Sequence, residues 1–155
     1  MRILVIEDDD NKFNKIYNTL NNILNNSEII RTKSRNSGLS TFFESIKLNE
    51  KFDLIICDNF LPFFDNEIDL LPFASEIIEL IKNKEKNIPI CVISYDKVED
   101  CDYDYYIHYY PLMDLDKYFK EILEDIKQNK TIKPKVNKLW KRKKDSYYGK
   151  IQKNN

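Results

Sequence analysis

Apolar residues along positions 1–128 follow two alternating patterns. Short, uninterrupted apolar runs end abruptly at polar residues, as do strands that are buried on both faces of a parallel sheet. Strands are predicted in this way at residues 3–6, 28–32, 53–57, 89–93 and 105–109. Between these runs, apolar residues recur at helical spacing, which predicts helices at about 11–25, from about 37, at 73–82 and at 115–128. This alternation predicts an α/β fold with a doubly wound, five-stranded parallel sheet.

The connection before the last predicted strand is short. Only 15 residues separate Ser94 from Tyr110. They must hold a strand of about five or six residues and two connections of about two to six residues each. The fourth helix of the alternation is therefore predicted to be short or missing.

Composition excludes several classes of site. The 155 residues include two glycines and one histidine. These counts exclude a Walker loop, a glycine-rich dinucleotide turn, a nucleophile elbow and histidine-rich zinc sites. Three widely spaced cysteines favour a reducing compartment. No signal-peptide pattern is recognised and no apolar run approaches the length of a membrane span, so we expect a cytoplasmic protein without a membrane partner.

Charge divides the chain into two parts. Residues 1–128 carry a net charge of −10 and residues 129–155 carry +9, although the whole chain has a net charge of only −1. We therefore predict one folded domain at 1–128 and a basic C-terminal tail at 129–155. The centre of the tail consists of Trp140, Lys141, Arg142, Lys143 and Lys144. Such a segment can bind nucleic acid or a protein partner, and the alternatives are a disordered tail or a short helix folded onto the acidic domain.

Polar side chains follow three of the predicted strands. Glu7 and Asp8 come directly after the first strand, Asp58 follows the third, and Ser94 follows the fourth. The carboxyl ends of parallel strands meet at one edge of a sheet, where such folds bind their ligands. Clustered carboxylates repel one another, and a divalent cation such as Mg2+ stabilises an all-oxygen site. The alternative is that these acids only form a solvated loop or cap a helix.

The motifs at these strand ends resemble a known family. They are VIEDD at 5–9, DLIICDNFLP at 53–62, DN at 65–66 and ICVIS at 90–94. With these motifs, in this order and at these strand ends, the chain resembles the receiver domain of two-component response regulators over about residues 1–128. The resemblance implies the flavodoxin-like receiver fold.

The resemblance also implies a role for each matching residue. Asp58 would be the phosphoacceptor, which takes a phosphoryl group from a histidine kinase, a phosphotransfer protein or a small donor. Mg2+ would be held by Asp58, Asp8, Glu7 through water, and the backbone carbonyl of Phe60. Ser94 would contact the phosphoryl oxygens, and an aromatic residue of the last strand, Tyr106 or Tyr105, would complete the switch.

One position departs from the family pattern. Receivers carry a lysine before a proline at the end of the last strand, and here Tyr110 precedes Pro111. A phenol can donate one hydrogen bond but brings no positive charge. Lys97 and His108 are the nearby candidates for supplying a charge, although a histidine in a strand is more often an ordinary strand residue.

The function that follows from the resemblance is a stand-alone receiver in phosphorelay signal transduction. Phosphorylation of Asp58 would switch the binding of a downstream protein. The chain would be no conventional enzyme, with self-phosphorylation and autodephosphorylation at Asp58 as its only reactions. The alternative is a pseudo-receiver that binds protein or nucleic acid without phosphorylation. A metal-dependent phosphatase is a weaker alternative, because Phe60 stands where that chemistry needs an acid.

Overall fold

The chain alternates strands and helices as its apolar pattern predicts. The structure, a computed structural model, describes residues 1–96, 98 and 101–128. In chain order the elements are β1 (Arg2–Ile6), α1 (Asp10–Ile23), β2 (Glu28–Thr32), α2 (Arg35–Lys47), β3 (Leu54–Cys57), β4 (Phe60–Leu61), β5 (Leu71–Pro72), α3 (Ala74–Lys84), β6 (Ile90–Ser94), β7 (Tyr105–His108) and α4 (Asp116–Lys127). The predicted basic tail, with Trp140 and the four basic residues after it, lies outside the described residues.

Five of the strands form one parallel sheet in the order β2-β1-β3-β6-β7. This order confirms the predicted doubly wound sheet and is that of the flavodoxin-like receiver fold. The order reverses between β1 and β3, which are neighbours with Ile6 opposite Cys57. Residues that directly follow these two strands therefore emerge side by side at the switch point of the sheet.

The sheet has a core on each face. On one face, Ile3 and Val5 pack with residues of α1 and α4 such as Ile16 and Phe119. On the other face, residues of β1 pack with α2 and α3, including Phe42. The central strands β1, β3 and β6 are thus apolar on both faces, which explains why their sequences are continuous apolar runs.

Polar side chains fix the start of two helices. The Asp9 carboxylate accepts a hydrogen bond from the backbone N–H of Lys12 at 2.9 Å and caps α1. Ser34 and Ser37 form a capping box at the start of α2. Because Asp9 caps α1, Glu7 and Asp8 are the two acids of the motif at 5–9 that remain available for a cation site. All helices within the described residues are too short or too polar to cross a membrane.

The connection from β6 to β7 agrees with the prediction that the fourth helix is short or missing. None of its described residues (95, 96, 98 and 101–104) is helical. A buried ion pair braces this part of the sheet, since Lys82 Nζ lies 2.7 Å from Asp104 Oδ2. Lys82 also donates to the Ile88 carbonyl at 2.8 Å, and Asp104 Oδ2 accepts from the backbone N–H of Ile90 at 2.8 Å. The start of β7 is thus tied to α3 and to the start of β6.

A small hairpin was not predicted from the sequence. Strands β4 and β5 have two residues each and pair antiparallel, with Phe60 opposite Pro72. Strands this short carry no readable alternation, and their pairing depends on the chain that folds between them. The loop between them is tied to α2, because backbone N–H groups of Arg35 and Asn36 donate to the carbonyls of residues 62 and 63 at 2.9 and 3.1 Å.

Candidate functional site

Three carboxylates converge at the switch point of the sheet. Glu7 and Asp8 follow β1, and Asp58 follows β3. One ligand oxygen from each side chain lies within 4.8 Å of the other two. Glu7 is fully buried, Asp58 is 8% exposed, and Asp8 is half-buried at the mouth. The cluster expected from the strand ends is therefore present, and it opens on the Asp8 side.

A buried lysine that the sequence analysis did not single out lies inside this cluster. The side chain of Lys12 on α1 is 1% exposed. Its Nζ lies 2.8 Å from Glu7 Oε2 and 3.0 Å from Asp58 Oδ2. It also donates to the backbone carbonyl of Ile93 at 2.8 Å. The site therefore contains an ammonium group that reaches it from a helix.

The helical periodicity of α1 contains the signal that identifies Lys12. The buried residues of this helix are Lys12, Ile16 and Leu20, which are spaced four residues apart and lie on one face. A lysine in line with two apolar core residues points inward. A lysine is nearly always taken as a surface residue unless its helical face is checked in this way.

Burial and mutual repulsion raise the pKa values of the carboxyl groups. Burial is the larger cause at Glu7, followed by the charge of Asp58, and together they raise the pKa of Glu7 to about 7. Burial also raises the pKa of Asp58, against the opposing effects of Lys12 and of a hydrogen bond from Ser94. At Lys12 burial lowers the pKa, but the charges of Asp58 and Glu7 outweigh it, so the net pKa is raised and the ammonium stays charged.

Arg31 holds the loop that carries Glu7 and Asp8. Its Nε donates to the Glu7 carbonyl at 3.0 Å, and its Nη2 donates to the Asp8 carbonyl at 3.1 Å. The same guanidinium pairs with Asp10 Oδ1 at 2.7 Å and lies over the ring of Phe13. These contacts reach the backbone of the loop and leave both carboxylates free to face the site.

Ser94 and Tyr106 both form hydrogen bonds with the backbone of Asp96. Ser94 is 1% exposed, lowers the pKa of Asp58 through its hydroxyl group, and accepts from the backbone N–H of Asp96 at 3.3 Å. The hydroxyl of half-buried Tyr106 donates to the carbonyl of Asp96 at 3.2 Å. Tyr105 instead is 2% exposed, and its hydroxyl donates to Asp125 at 3.4 Å. The register of β7 thus places Tyr106 beside the loop that follows Ser94 and places Tyr105 in the core.

The position at which the family pattern has lysine lies away from the buried cluster. The side chain of Tyr110 is 54% exposed. Its neighbour Tyr109 is buried, with its ring centroid 5.3 Å from Lys12 Nζ, and the Tyr95 ring lies 5.5 Å from the same atom. Of the two residues considered as substitutes, Lys97 lies outside the described residues and His108 pairs with Ser94 in the sheet.

The donor set fits a divalent cation. The three side chains offer hard carboxylate oxygens, the ligands that Mg2+ prefers. When all three are ionised they face one ammonium, which leaves two negative charges for a divalent cation to balance. Phe60, the first residue of β4, follows Asp58 by two positions, so its carbonyl is the remaining predicted ligand.

Comparison with known proteins gives similarity in structure alone. The sequence matches no protein-family model and no curated protein. Many solved structures are similar to it, among them three that each have 20% sequence identity. The Mn(2+)-bound form of response regulator Rcp1 has a TM-score of 0.57 and covers 80% of this chain and 90% of its own. A response regulator receiver domain protein from Clostridium thermocellum has a TM-score of 0.59, with coverage of 83% and 96%.

The third similar structure is the phosphorylated cyanobacterial phytochrome response regulator RcpA. Its TM-score is 0.60, and the match covers 80% of this chain and 91% of that protein. Each of the three matches covers at least 80% of this chain, although four of five aligned residues differ. The chain therefore has the fold of response-regulator receiver domains, in a divergent form.

Proposed function

We propose that this chain is a receiver module of a two-component phosphorelay that accepts a phosphoryl group on Asp58. The observation that carries the proposal is the convergence of Glu7, Asp8 and Asp58 within 4.8 Å at the switch point of a receiver fold. Ser94 and Lys12 add hydrogen-bond donors to the same carboxylate. A nucleophile, a cation site and phosphoryl-binding donors are thus available in one pocket.

Asp58 supplies the nucleophile in this proposal. A carboxylate oxygen of Asp58 attacks the phosphorus of the donor, and a new O–P bond forms. The N–P bond of a phosphohistidine, or the O–P bond of a small acyl phosphate, breaks as its electron pair leaves with the donor. The product is an aspartyl phosphate. Carboxylate nucleophiles of this kind are an established class in phosphoryl transfer.

Four groups are proposed to hold Mg2+. They are the carboxylates of Glu7, Asp8 and Asp58 and the backbone carbonyl of Phe60. When bound, the cation neutralises the negative charge that builds up as phosphate approaches a carboxylate. Two similar structures support this assignment, since one is an Mn(2+)-bound response regulator and the other a phosphorylated one.

The proposed partners follow from this chemistry. A histidine kinase or a phosphotransfer protein would supply the phosphoryl group, and a downstream protein would bind the phosphorylated form. Ser94 and Tyr106 are the proposed switch residues, because both contact residue 96 in the loop after β6. A phosphoryl group that attracts the Ser94 hydroxyl would pull on the same loop that Tyr106 contacts.

The proposal is tested by intact-mass measurement after incubation with acetyl phosphate and MgCl2. The expected result is a gain of one phosphoryl group by the full chain, and none by Asp58→Asn or without MgCl2. Asp53→Asn is the matched control, because Asp53 lies at the opposite end of β3 and accepts from the backbone N–H of Arg2 at 2.7 Å. It should be phosphorylated as the natural chain is.

Two results would contradict the proposal. One is a folded natural chain that gains no phosphoryl group from acetyl phosphate or from phosphoramidate. The other is phosphorylation that persists in Asp58→Asn. The first result favours the alternative function, a pseudo-receiver that binds its partner without phosphorylation, and the exposed Tyr110 at the usual lysine position is the observation behind that alternative.

A further inference from the structure

We propose that Lys12, on helix α1, is the group that reads the phosphoryl group on Asp58, and that its displacement carries the signal to Tyr95 and Tyr109. This inference rests on the proposed phosphorylation of Asp58. It assigns the role of phosphoryl-reading cation to a residue of helix α1 instead of a residue at the end of β7. It also names the residues that would register the change.

The ammonium group of Lys12 lies close to the carboxylate of Asp58. Lys12 Nζ lies 3.0 Å from Asp58 Oδ2, so oxygens of a phosphoryl group on Asp58 would be within its reach. A charge-assisted N–H···O bond to phosphate is among the strongest hydrogen bonds in proteins. Tyr110, at the usual lysine position, is 54% exposed and carries no charge to compete for this contact.

Three oxygen atoms already lie within 3.0 Å of the Lys12 ammonium. An ammonium has three N–H groups, and three acceptors surround this one: Glu7 Oε2 at 2.8 Å, Asp58 Oδ2 at 3.0 Å and the Ile93 carbonyl at 2.8 Å. A new bond to a phosphoryl oxygen therefore replaces one of these. The carbonyl of Ile93 is the one neutral acceptor among the three, so its bond is the weakest and is the one given up.

Two tyrosine rings lie next to the ammonium group of Lys12. The rings of Tyr95 and Tyr109 lie 5.5 and 5.3 Å from Lys12 Nζ and contact each other edge to face, with centroids 5.0 Å apart. Cation–π attraction falls away as the cation leaves the ring. Movement of Lys12 toward a phosphoryl group therefore changes the environment of both rings. Tyr95 is 43% exposed, so this change reaches the surface.

The release of the Ile93 carbonyl and the change around Tyr95 both occur at the end of β6. Ile93, whose carbonyl would be released, directly precedes Ser94, and Tyr95 directly follows it. The short connection after β6 has no helix among its described residues to transmit a signal. Lys12 provides a direct link between Asp58 and this connection that does not need a helix there.

The experiment compares Lys12→Met with Lys15→Met in the full chain. Methionine fits the apolar stripe that Lys12 shares with Ile16 and Leu20. Lys15 is the matched control, because its Nζ donates to the Pro111 carbonyl at 2.6 Å and lies 5.8 Å from the Tyr109 ring, yet this half-buried residue makes no ion pair with the three carboxylates. Phosphorylation by acetyl phosphate with MgCl2 is followed by intact mass, and the Tyr95 and Tyr109 rings by NMR.

The natural chain should show shifted ring signals for Tyr95 and Tyr109 when Asp58 is phosphorylated. Lys12→Met should be phosphorylated about 100-fold more slowly, and its phosphorylated fraction should lack the ring shifts. Lys12→Arg should recover part of both effects, and Lys15→Met should behave as the natural chain. A structural counterion alone would alter stability without altering the response of the rings.

The outcomes separate the two proposals. A natural chain that is not phosphorylated overturns the proposed function and with it this inference. A natural chain that is phosphorylated, together with a folded Lys12→Met that reacts equally fast and shows the same ring shifts, overturns this inference alone. If Lys12→Met does not fold, the 15N signal of the Lys12 ammonium in the natural chain decides, since an unchanged signal on phosphorylation also overturns it.

Discussion

Two buried lysines in this molecule have similar surroundings and different charge balance. Lys12 on α1 and Lys82 on α3 are both almost fully buried, at 1% and 8% exposure. Each pairs with a buried acid and donates to a backbone carbonyl. They lie on opposite faces of the sheet, because α1 and α3 belong to different cores.

The difference lies in the acids around each lysine. Lys82 pairs with Asp104, and carbonyl groups accept from the same ammonium, so that pair is neutral. Lys12 pairs with Glu7 and Asp58, and Asp8 lies beside them. A balanced buried pair braces the fold, whereas surplus buried charge is offset by protonation of a carboxyl group with a raised pKa or by a bound cation. The imbalance, more than burial itself, distinguishes a site from a brace.

The largest effect on stability is expected at the balanced pair. Lys82→Met leaves Asp104 buried without its partner, and should lower the free energy of unfolding by about 4 kcal/mol. Urea denaturation measures this, with and without MgCl2, and the cation should restore nothing. Lys82→Met combined with Asp104→Asn should recover much of the loss. A loss of stability that MgCl2 reverses would contradict the comparison.

Lys12→Met should show a smaller loss that a divalent cation repairs. Removal of the ammonium leaves three neighbouring carboxylates, which should lower the free energy of unfolding by about 3 kcal/mol in a chelator. Binding of Mg2+ to the folded state alone should then raise stability as its concentration rises. Thermal denaturation with EDTA and with MgCl2 measures both. Equal stability in the two conditions would mean that the surplus charge is not a cation site.

Substitution of Arg31 tests whether its hydrogen bonds to the loop of Glu7 and Asp8 contribute to cation binding. Arg31→Met removes the donors to the Glu7 and Asp8 carbonyls but leaves every carboxylate in place. Supporting groups of this kind typically change metal affinity, so Mg2+ binding should weaken about tenfold. Calorimetric titration with MgCl2 measures the affinity, with Lys33→Met, which removes only an exposed cation beside Asp10, as the control. An affinity equal to that of the natural chain would show that the loop holds its shape without Arg31.

The contribution of an exposed carboxylate, Asp65, to stability serves as the reference for the two buried ion pairs of Lys12 and Lys82. Hydrogen bonds from Ser34 and Ser37 lower the pKa of Asp65, which is exposed. Because its folded pKa is lowered, Asp65 stabilises the protein above its unfolded pKa, and this contribution is lost as pH falls through the folded pKa, below 3.8. Asp65→Asn should cost about 0.5 kcal/mol at neutral pH. Urea denaturation of both proteins between pH 2 and 7 should show the difference vanish at the acid end, and a difference that grows there would contradict it.

Much of the fold was predictable from the pattern of apolar residues. Strands β1, β3 and β6 are continuous apolar runs because both faces of the sheet are covered. The prediction of a short or missing fourth helix followed from chain length alone, and no residue described between β6 and β7 is helical. The β4–β5 hairpin was missed because strands of two residues are too short to show an alternation of apolar and polar positions.

The site was predictable in part, for the same reason. Glu7, Asp8 and Asp58 converge because they follow neighbouring parallel strands, and strand ends can be read from the chain. The roles of Ser94, Tyr106 and the Phe60 carbonyl remain predictions that the phosphorylation experiments address. Lys12 was not placed in the site from the sequence, because a lysine is rarely buried and its burial depends on how α1 packs on the sheet.

The sequence by itself determined the order of the elements and the edge of the sheet at which acids gather, because buried strands and their polar ends have a local signature. Only the tertiary structure decided which cation meets those acids. Helix α1 packs across β1 and β6 and places Lys12 Nζ within 3.0 Å of both Glu7 and Asp58. Such a contact depends on how a helix lies on a sheet, and that packing is set by the whole core rather than by neighbouring residues.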